Sequence, residues 1–300
     1  MANSKIEWTQ KVWNPVTGCT KVSPGCVNCY VNREWPRLAG NVRSVYHGRK
    51  FTDVQCHPER LGQPFRWTKP KMIFVNSMSD LFHPDVPFGF VDHIINASYR
   101  APQHTYLILT KRPERMQLYF ESCAERGIPA ALWMRHGLRL WLGVTAENQE
   151  QAEKRIPTLL QVPAALRFVS VEPMLSAVDL TSITIRQRIN WVICGGESGP
   201  GARPMHPDWV RSLRDQCQDA GVPFFLKSWG EWEPSETVPW KDTAYHRVSD
   251  GSIASYLLGV KKHWWGGNDG DGKPLSVRVG KKAAGHLLDG LEWREMPHQM

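Results

Sequence analysis

The stretch TYLILTKRPERMQLYFESCAERGIPAALWMRHGLRLWLGVT, residues 105–145, contains the pattern that predicts the fold of this chain. An apolar run at 105–110 is followed by a helix-like segment at 112–125 and then by a second apolar run at 140–145. Neither run alternates polar with apolar residues, which is typical of strands buried on both faces of a parallel sheet. The stretch therefore predicts a strand, a helix and a second, parallel strand.

The same unit recurs on both sides of this stretch. The apolar runs and helix-like segments that repeat it lie at 72–76, 88–99, 148–160, 167–172, 190–194, 207–220 and 222–227. A further strand at about 13–18 brings the number of predicted strands to seven. Alternation of strands and helices at roughly thirty-residue spacing predicts an α/β fold with a parallel sheet and helices outside it. Seven units favour a full or partial TIM-like (βα) barrel over an open, doubly wound sheet.

The alternation stops at residue 231, which predicts two regions. Residues 1–230 form the (βα) barrel domain, and residues 231–300 form a C-terminal extension packed on it. Within the extension, residues 266–272 are turn-rich, and residues 275–290 predict a short strand and a short helix that ends at Gly290.

The composition of the chain limits the cellular compartments in which we expect the protein. No apolar run approaches the roughly eighteen residues that a membrane span needs, and the first residues lack the apolar core of a secretory signal. Because the seven cysteines are an odd number, and no export signal is seen, free thiols and metal binding are expected. We therefore predict a cytoplasmic protein with no membrane partner.

Three of the cysteines are close together in the sequence. Cys19, Cys26 and Cys29 have the spacing C-x6-C-x2-C. A structural zinc site is closed by four protein ligands, whereas a catalytic zinc site keeps one position open. Iron–sulfur clusters are also held by cysteine thiolates. Three thiolates without an obvious fourth ligand predict either a [4Fe–4S] cluster with one open iron or a zinc ion with one open position.

Polar side chains follow almost every predicted strand. They are Asn76, Ser77, Ser79 and Asp80, Lys111 and Arg112, Glu147 and Asn148, Glu172, Glu197, and Lys227. In (βα) barrels the active site forms at the carboxyl ends of the strands. Asp80, Asn148 and Ser198 could each be a simple helix N-cap, but the repetition at six consecutive strand ends favours a common site.

The net charge of +8 is concentrated in two segments. Between residues 41 and 71 there are seven basic residues and two acidic ones. The second basic cluster contains Lys261, Lys262, Lys273, Arg278, Lys281 and Lys282. The tryptophans near these segments are Trp35, Trp67, Trp264 and Trp265. Basic and aromatic residues together suit phosphate binding and base stacking, so DNA, RNA or a nucleotide is the predicted substrate. The alternative is a solvated basic surface over core tryptophans.

Residues 13–30, WNPVTGCTKVSPGCVNCY, resemble the signature of the three-Cys-motif proteins found in phages and bacterial genomes. The resemblance continues at 74–82, 191–200 and 280–290, so it extends over nearly the whole chain. The chain departs from the pattern at Ser228, where an amide side chain is expected. The family is described as radical-SAM-like, although the usual radical-SAM spacing is C-x3-C-x2-C. Pro24 and Gly25 can fold the extra length of the first loop into a turn.

The resemblance implies a [4Fe–4S] cluster on the three cysteines, S-adenosylmethionine (SAM) on the open iron, and an external electron donor in a bacterial or phage-infected host cell. Reductive cleavage of SAM would then produce a 5′-deoxyadenosyl radical that acts on the substrate. The predicted SAM contacts are Asn76, Ser77, Ser79 and Asp80 for the amino group, Lys111 or Arg112 for the carboxylate, and Glu147 and Asn148 for the ribose. The residues predicted to face the substrate as catalytic groups are Glu172, Glu197 and Lys227.

Two alternatives remain open from the sequence. A zinc ion could be bound by the three cysteines and one of His47, His57 or His83, in a barrel enzyme that modifies or exchanges a nucleobase. Asp80 or Glu172 would then be its nucleophile. The other alternative is a non-catalytic zinc knuckle that binds nucleic acid, for which the polar strand ends have no role.

Overall fold

The structure is a computed structural model that describes residues 4, 6–128, 133, 137–181, 189–234, 244–247, 253–257, 260–265 and 276–297. Seven strands form one parallel sheet in the order β1-β4-β5-β6-β7-β8-β9. The first nine strands are β1 (Lys11–Trp13), β2 (Val16–Thr17), β3 (Gln55–Cys56), β4 (Met72–Val75), β5 (Thr105–Thr110), β6 (Arg139–Thr145), β7 (Leu166–Val171), β8 (Trp191–Cys194) and β9 (Phe224–Leu226). Strands β2 and β3 form a separate antiparallel pair.

Described helices lie in five of the six connections between neighbouring strands of the parallel sheet, all but that from β7 to β8. They are α1 (Tyr30–Ala39), α2 (Phe88–Tyr99), α3 (Pro113–Glu125), α4 (Gln149–Gln161) and α5 (Pro207–Ala220). In the described part of the chain the edge strands β1 and β9 are not paired with each other, so the sheet is a partial barrel. The predicted α/β fold with a partial TIM-like barrel is confirmed. None of the helices within the described ranges has the length and apolarity needed to cross a lipid bilayer.

Between residues 72 and 227 the element boundaries agree with the predicted ones to within about two residues. They differ at the start of the chain and in the C-terminal region. The strand predicted at 13–18 lies at 11–13, because Pro15 has no backbone N–H to donate to a strand ladder. After it, the Val16 backbone N–H donates to the side chain of Asn76 at 3.1 Å. The sequence analysis did not predict helix α1.

The two faces of the sheet carry different apolar clusters. One face packs against the helices through residues such as Ile73, Ile108 and Val192. The other face carries a separate cluster of Trp8, Phe74, Leu107, Trp141, Leu166, Phe168, Trp191, Ile193 and Phe225. Because side chains alternate across a strand, both faces of these runs are buried. The unalternated apolar pattern of the sequence follows from this arrangement.

Aromatic packing fills the concave side toward the amino ends of the strands. The Trp8 ring lies 4.8 Å from the Phe74 ring and 6.2 Å from the Trp191 ring, measured between centroids. Gly143 leaves room for Phe168, since a Cβ at position 143 would lie 2.5 Å from that ring. The interior is therefore closed at one end, and its open space lies at the carboxyl ends of the strands.

After the barrel the chain forms an antiparallel sheet that the sequence analysis did not predict. Its strands are β10 (Trp232–Pro234), β11 (Ala244–Arg247), β12 (Ile253–Leu257), β13 (Val260–Trp265) and β14 (Ser276–Arg278), in the order β10-β14-β13-β12-β11. Only β14 matches a predicted strand. The turn-rich stretch 266–272 lies outside the described residues. The boundary at 230/231 stays a prediction.

The helix predicted to end at Gly290 is wrong in its second half. Helix α6 (Lys281–Ala284) is short, and a hairpin of β15 (Leu287–Leu288) and β16 (Leu291–Glu292) follows it. Asp289 and Gly290 have φ values of 54° and 77°, as a two-residue hairpin turn requires. Arg211 and Arg214 of α5 donate to the Asp289 carboxylate at 2.7–2.9 Å. This tertiary contact favours the turn over a longer helix.

Candidate functional site

A cavity of about 470 Å³ opens at the carboxyl ends of the parallel strands. Cys19, Cys26 and Cys29 line it, and all three are half-buried free thiols. They lie on residues 18–29, here called the cysteine loop, which connects β2 to α1. The structure therefore brings together the three cysteines that the sequence singled out.

The cysteine loop is fixed at its start by backbone contacts. Gly18 has a φ of 91°, and a Cβ there would lie 2.4 Å from the Asp53 carbonyl oxygen. The Cys19 backbone N–H donates to the Phe51 carbonyl at 2.9 Å. Gly18 is thus required both by its conformation and by the close approach of the neighbouring chain.

Most of the predicted ligand residues also line the cavity. They are Asn76, Ser77, Ser79, Asp80, Lys111, Arg112, Glu172, Glu197 and Lys227. Glu147 and Asn148 are not among its lining residues. The Asn148 side chain accepts from the Gln151 backbone N–H at 3.0 Å and caps helix α4. Its role as a ribose contact stays a prediction.

The first of three carboxylate–arginine pairs lies beside Cys19. Asp80 accepts hydrogen bonds from the Thr110 hydroxyl at 2.8 Å and from the backbone N–H groups of Phe82 and Lys111. Arg112 Nη1 donates to Asp80 Oδ2 at 3.0 Å and lies 3.7 Å from Cys19 Sγ. Both oxygens of Asp80 are therefore fully engaged with the chain itself.

Arg112 also contacts the residue after Cys19. Its Nη2 donates to the carbonyl and the hydroxyl of Thr20 at 2.9 and 3.0 Å. Burial, and after it the charge of Asp80, raise the pKa of the Cys19 thiol to about 11. The thiol keeps its proton at neutral pH unless a metal displaces it, because metal ligation requires the thiolate.

The second pair lies beneath the middle of the cysteine loop. Glu147 is fully buried, and its carboxylate accepts from the Ser23 hydroxyl and from the Gly25 backbone N–H at 3.1 Å. Arg155 of α4 donates to it at 2.8 Å and to the Thr145 carbonyl at 2.7 Å. Burial alone would raise the pKa of Glu147, but Lys111 and Arg155 hold that pKa below its usual value. Glu147 thus stays charged at neutral pH.

The third pair holds the end of the loop. Glu197 accepts from the Asn28 side chain at 2.9 Å, from the Arg203 backbone at 2.9 Å, and from the Arg203 guanidinium. Arg203 Nη2 also donates to the Pro24 carbonyl at 2.9 Å. The Glu197 carboxylate is therefore saturated by donors from the chain.

Glu172 and Lys227 form a fourth ion pair across the carboxyl end of β8. Gly195 lies beneath the pair, since a Cβ there would be 3.4 Å from Glu172 Cγ and 3.5 Å from Lys227 Cβ. Burial alone would lower the pKa of Lys227, but the Glu172 carboxylate raises it above its usual value. Lys227 thus stays charged at neutral pH, and no hydrogen bond within the described ranges joins this pair to the cysteine loop.

Two of the lining residues have side-chain donors that the chain does not saturate. Asn76 is 3% exposed, and its Nδ2 is buried without a hydrogen-bond partner. Lys111 Nζ donates to the Thr145 hydroxyl at 3.3 Å, which leaves donor capacity on its ammonium. In contrast, the hydroxyls of Ser77 and Ser79 donate to Asn14 Oδ1 and to the Val16 carbonyl.

The three histidines considered as a fourth metal ligand have other contacts. His57 Nε2 lies 2.8 Å from the Thr17 hydroxyl, and His83 Nε2 lies 2.8 Å from the Thr20 hydroxyl. His47 Nδ1 lies 3.1 Å from the Ala39 carbonyl. None of the three is among the lining residues of the cavity. Within the described ranges, no three His, Cys, Asp or Glu side chains form a preassembled site for a single metal ion.

The sequence analysis missed the residues that hold the cysteine loop. Arg155 lies eight residues after Glu147, and Arg203 lies six residues after Glu197. Asn28 lies between two cysteines and was treated only as part of the motif. No periodicity in the sequence pairs an arginine with a strand-end carboxylate at such separations, so these contacts emerge only from the packed barrel.

Fold and site together define a partial (βα) barrel protein with a cysteine-lined cavity at the carboxyl edge of its sheet. The chain belongs to the family described as "Protein of unknown function (DUF5131)", whose model matches residues 3–297. No curated protein matches the sequence. Two solved structures of mutants of spore photoproduct lyase are similar at 11% and 10% identity, with TM-scores of 0.37 and 0.38. Each comparison covers 94% of this chain and 71% of the other. Similarity at this level carries no information about activity.

Proposed function

We propose that this protein is a radical-SAM-like enzyme in which Cys19, Cys26 and Cys29 hold a [4Fe–4S] cluster and SAM binds beside it. One observation carries the proposal. Three free thiols, those of Cys19, Cys26 and Cys29, line a single cavity at the carboxyl ends of the parallel strands, and the Lys111 side chain lines it with them. Three thiolates can hold a [4Fe–4S] cluster with one open iron, and the Lys111 ammonium, which within the described ranges donates only to the Thr145 hydroxyl, keeps donor capacity for a second ligand.

The donor set fits an iron–sulfur cluster better than the zinc alternative. Cysteine thiolates are the usual ligands of such clusters. A Cys3His zinc site would need His47, His57 or His83, but none of these lines the cavity and each already makes a hydrogen bond, to Ala39, Thr17 or Thr20. All seven cysteines are free, which supports the reducing, cytoplasmic compartment that we propose for the enzyme and its electron donor.

When bound, the cluster supplies the electron that cleaves a C–S bond of SAM. The chain's own part is to bind SAM and to exclude water. Lys111 Nζ provides a cation for the SAM carboxylate. Trp8, Phe74 and Leu109 form an apolar part of the cavity wall, which limits access of water to the reacting atoms.

Glu172 and Lys227 are proposed to face the substrate. Their ion pair lies at the ends of β7 and β9, whereas Asn76 follows β4, near the other edge of the parallel sheet. Unlike Asp80 and Glu197, Glu172 has no arginine partner among its contacts in the described part of the chain. The pair can therefore hydrogen-bond a substrate without releasing the cysteine loop.

The proposal is tested by iron and sulfide analysis after anaerobic reconstitution, followed by EPR of the reduced protein with and without SAM. We expect about four irons and four sulfides per chain and a spectrum that SAM perturbs. The Lys111→Met variant should keep its iron but need more SAM for the same perturbation. One zinc per chain without sulfide would overturn the cluster and restore the zinc alternative.

A nucleic acid or nucleotide is the proposed substrate class. Lys21, Arg33 and Lys281 line the cavity and are exposed to solvent, so phosphates could reach them. Trp35 and Trp67 are buried, at 3% and 8% exposure, and cannot stack on a base. The side chains of Trp264 and Trp265 lie outside the described residues. Support for this class is therefore electrostatic.

Electrostatic binding predicts a strong salt dependence of oligonucleotide affinity. Log affinity should fall linearly with log salt concentration, and Lys281→Ala should reduce the slope by about one. Lys154→Ala, on the exposed face of α4, is the matched control and should leave the slope unchanged. Affinity that does not respond to salt would contradict a polyanionic substrate.

A further inference from the structure

We infer that three carboxylate–arginine pairs are positioning residues that hold the cysteine loop in place at the cavity. They are Asp80–Arg112, Glu147–Arg155 and Glu197–Arg203, here called the loop-holding pairs. Arg112 has a second role, because it also donates toward the sulfur of Cys19. The positioning role applies to the metal-free chain. The second role, an effect of Arg112 on the electron affinity of the cluster, rests on the proposed function.

The cysteine loop needs such support because it has little regular structure. Between β2 and α1 the structure contains a single 3-10 turn, Pro24–Cys26. Val22 and Val27 are 46% and 54% exposed, so burial of apolar side chains does not fix these positions. Holding a backbone residue in one conformation costs about 1–2 kcal/mol. Polar contacts must therefore supply most of the order in this loop.

Each loop-holding pair reaches a different part of the loop. Arg112 contacts its start, through Thr20 and Cys19. Glu147 contacts its middle, through the Ser23 hydroxyl and the Gly25 N–H. The third pair contacts the Pro24 carbonyl through Arg203 and the Asn28 side chain through Glu197. Since the three carboxylates follow β4, β6 and β8, the sheet fixes the relative positions of the three parts of the loop that the pairs contact.

The hydrogen bonds that these carboxylates accept from the chain assign them to positioning and not to ligand binding. An ionised carboxylate has about four acceptor sites, and Asp80 and Glu197 each accept four hydrogen bonds from the chain. Glu147 accepts three and is fully buried. A ligand could bind to them only after displacing a contact that holds the loop. Lys111, in contrast, lines the cavity and has free donor capacity.

Arg112 is placed to act on the electron affinity of a cluster. Hydrogen bonds and positive charge at the sulfur ligands stabilise the more negative, reduced state and raise the reduction potential. Arg112 Nη1 lies 3.7 Å from Cys19 Sγ. A lysine at this position keeps a positive charge near Asp80 but lacks the planar fork that contacts Asp80, Thr20 and Cys19 together.

The positioning role is tested first on metal-free protein. In Arg203→Gln, we expect Cys26 and Cys29 to be alkylated roughly tenfold faster than in the wild type, the factor that corresponds to about 1.4 kcal/mol of lost order. Arg126→Gln is the matched control, because Arg126 pairs with Asp92 on helices away from the loop. The buried thiols of Cys194 and Cys217 report unfolding within the same experiment.

Unchanged alkylation of Cys26 and Cys29 in Arg203→Gln, with Cys194 and Cys217 still protected, would overturn the positioning role. If Cys194 and Cys217 also react, Arg203→Lys repeats the test, since it keeps a cation beside Glu197. This experiment uses no iron, so its result is valid even if the wild type binds no cluster and the proposed function is wrong.

The second role is tested by the midpoint potential of the reconstituted cluster. Arg112→Lys should retain the cluster and shift its midpoint potential to a more negative value. EPR spectra recorded during a redox titration measure this potential. Arg126→Gln should leave the potential unchanged. An Arg112→Lys potential equal to that of the wild type would overturn this role without affecting the positioning role.

Discussion

Replacing Cys26 by alanine is expected to lower the iron content of the reconstituted protein from about four atoms per chain to less than about one. Two thiolates would remain, and neither the loop nor the cavity wall offers a histidine to replace the third. The substitution should disturb the fold little, because the polar contact that Cys26 Sγ makes, with the Ser23 hydroxyl, is long at 3.9 Å. The fold should therefore survive while the cluster is lost.

Cys56→Ala is the matched control for this prediction. Cys56 is also a half-buried free thiol, but it lies on β3 and does not line the cavity. Its replacement should leave iron, sulfide and the EPR spectrum unchanged. Full iron content in Cys26→Ala, or equal loss in Cys56→Ala, would show that the three cysteines are not the cluster ligands.

Replacing Glu147 by alanine is expected to destabilise the protein by about 3–5 kcal/mol, because it leaves the buried charge of Arg155 without its partner. Glu147 and Arg155 have side-chain exposures of 0% and 3%. The substitution also removes the acceptor for Ser23 and Gly25 in the cysteine loop. The midpoint of thermal unfolding should fall by roughly 10 °C, measured by circular dichroism.

Glu34→Ala provides the surface comparison. Glu34 pairs with Arg37, whose side chain is 73% exposed, and such pairs contribute at most about 1 kcal/mol. Combining Glu147→Ala with Arg155→Met removes both buried charges and should recover part of the lost stability. If Glu147→Ala behaves like Glu34→Ala, the buried pair does not stabilise the fold in the way we describe.

Local patterns in the sequence were sufficient for the barrel. The unalternated run at 105–110 and its repeats predict strands that pack on both faces, and each of them is a strand of the parallel sheet. Helix α2 (Phe88–Tyr99) has the predicted bounds. The prediction failed where tertiary contacts compete with local preference, as at Asp289, which Arg211 and Arg214 hold in a hairpin turn.

The sequence predicted that a reactive site is present, but it was less informative about the role of each residue in that site. The cysteine spacing and the polar strand ends predicted which side chains surround one cavity, and the structure places most of them there. The sequence could not distinguish the roles of the four carboxylates that follow strands. Asp80, Glu147, Glu172 and Glu197 all follow strands and look equivalent in the sequence.

The sequence by itself determined the parallel α/β fold and the position of the cysteines at the carboxyl edge, because hydrophobic periodicity and motif spacing are local properties of the chain. Only the tertiary structure decided which carboxylates are saturated and which donors are free. Arg155 reaches Glu147, and Arg203 reaches Glu197, across turns that no local pattern specifies. Hydrogen-bond partners depend on distance in the packed barrel, so the division between residues that hold the cysteine loop and residues free to bind a ligand exists only there.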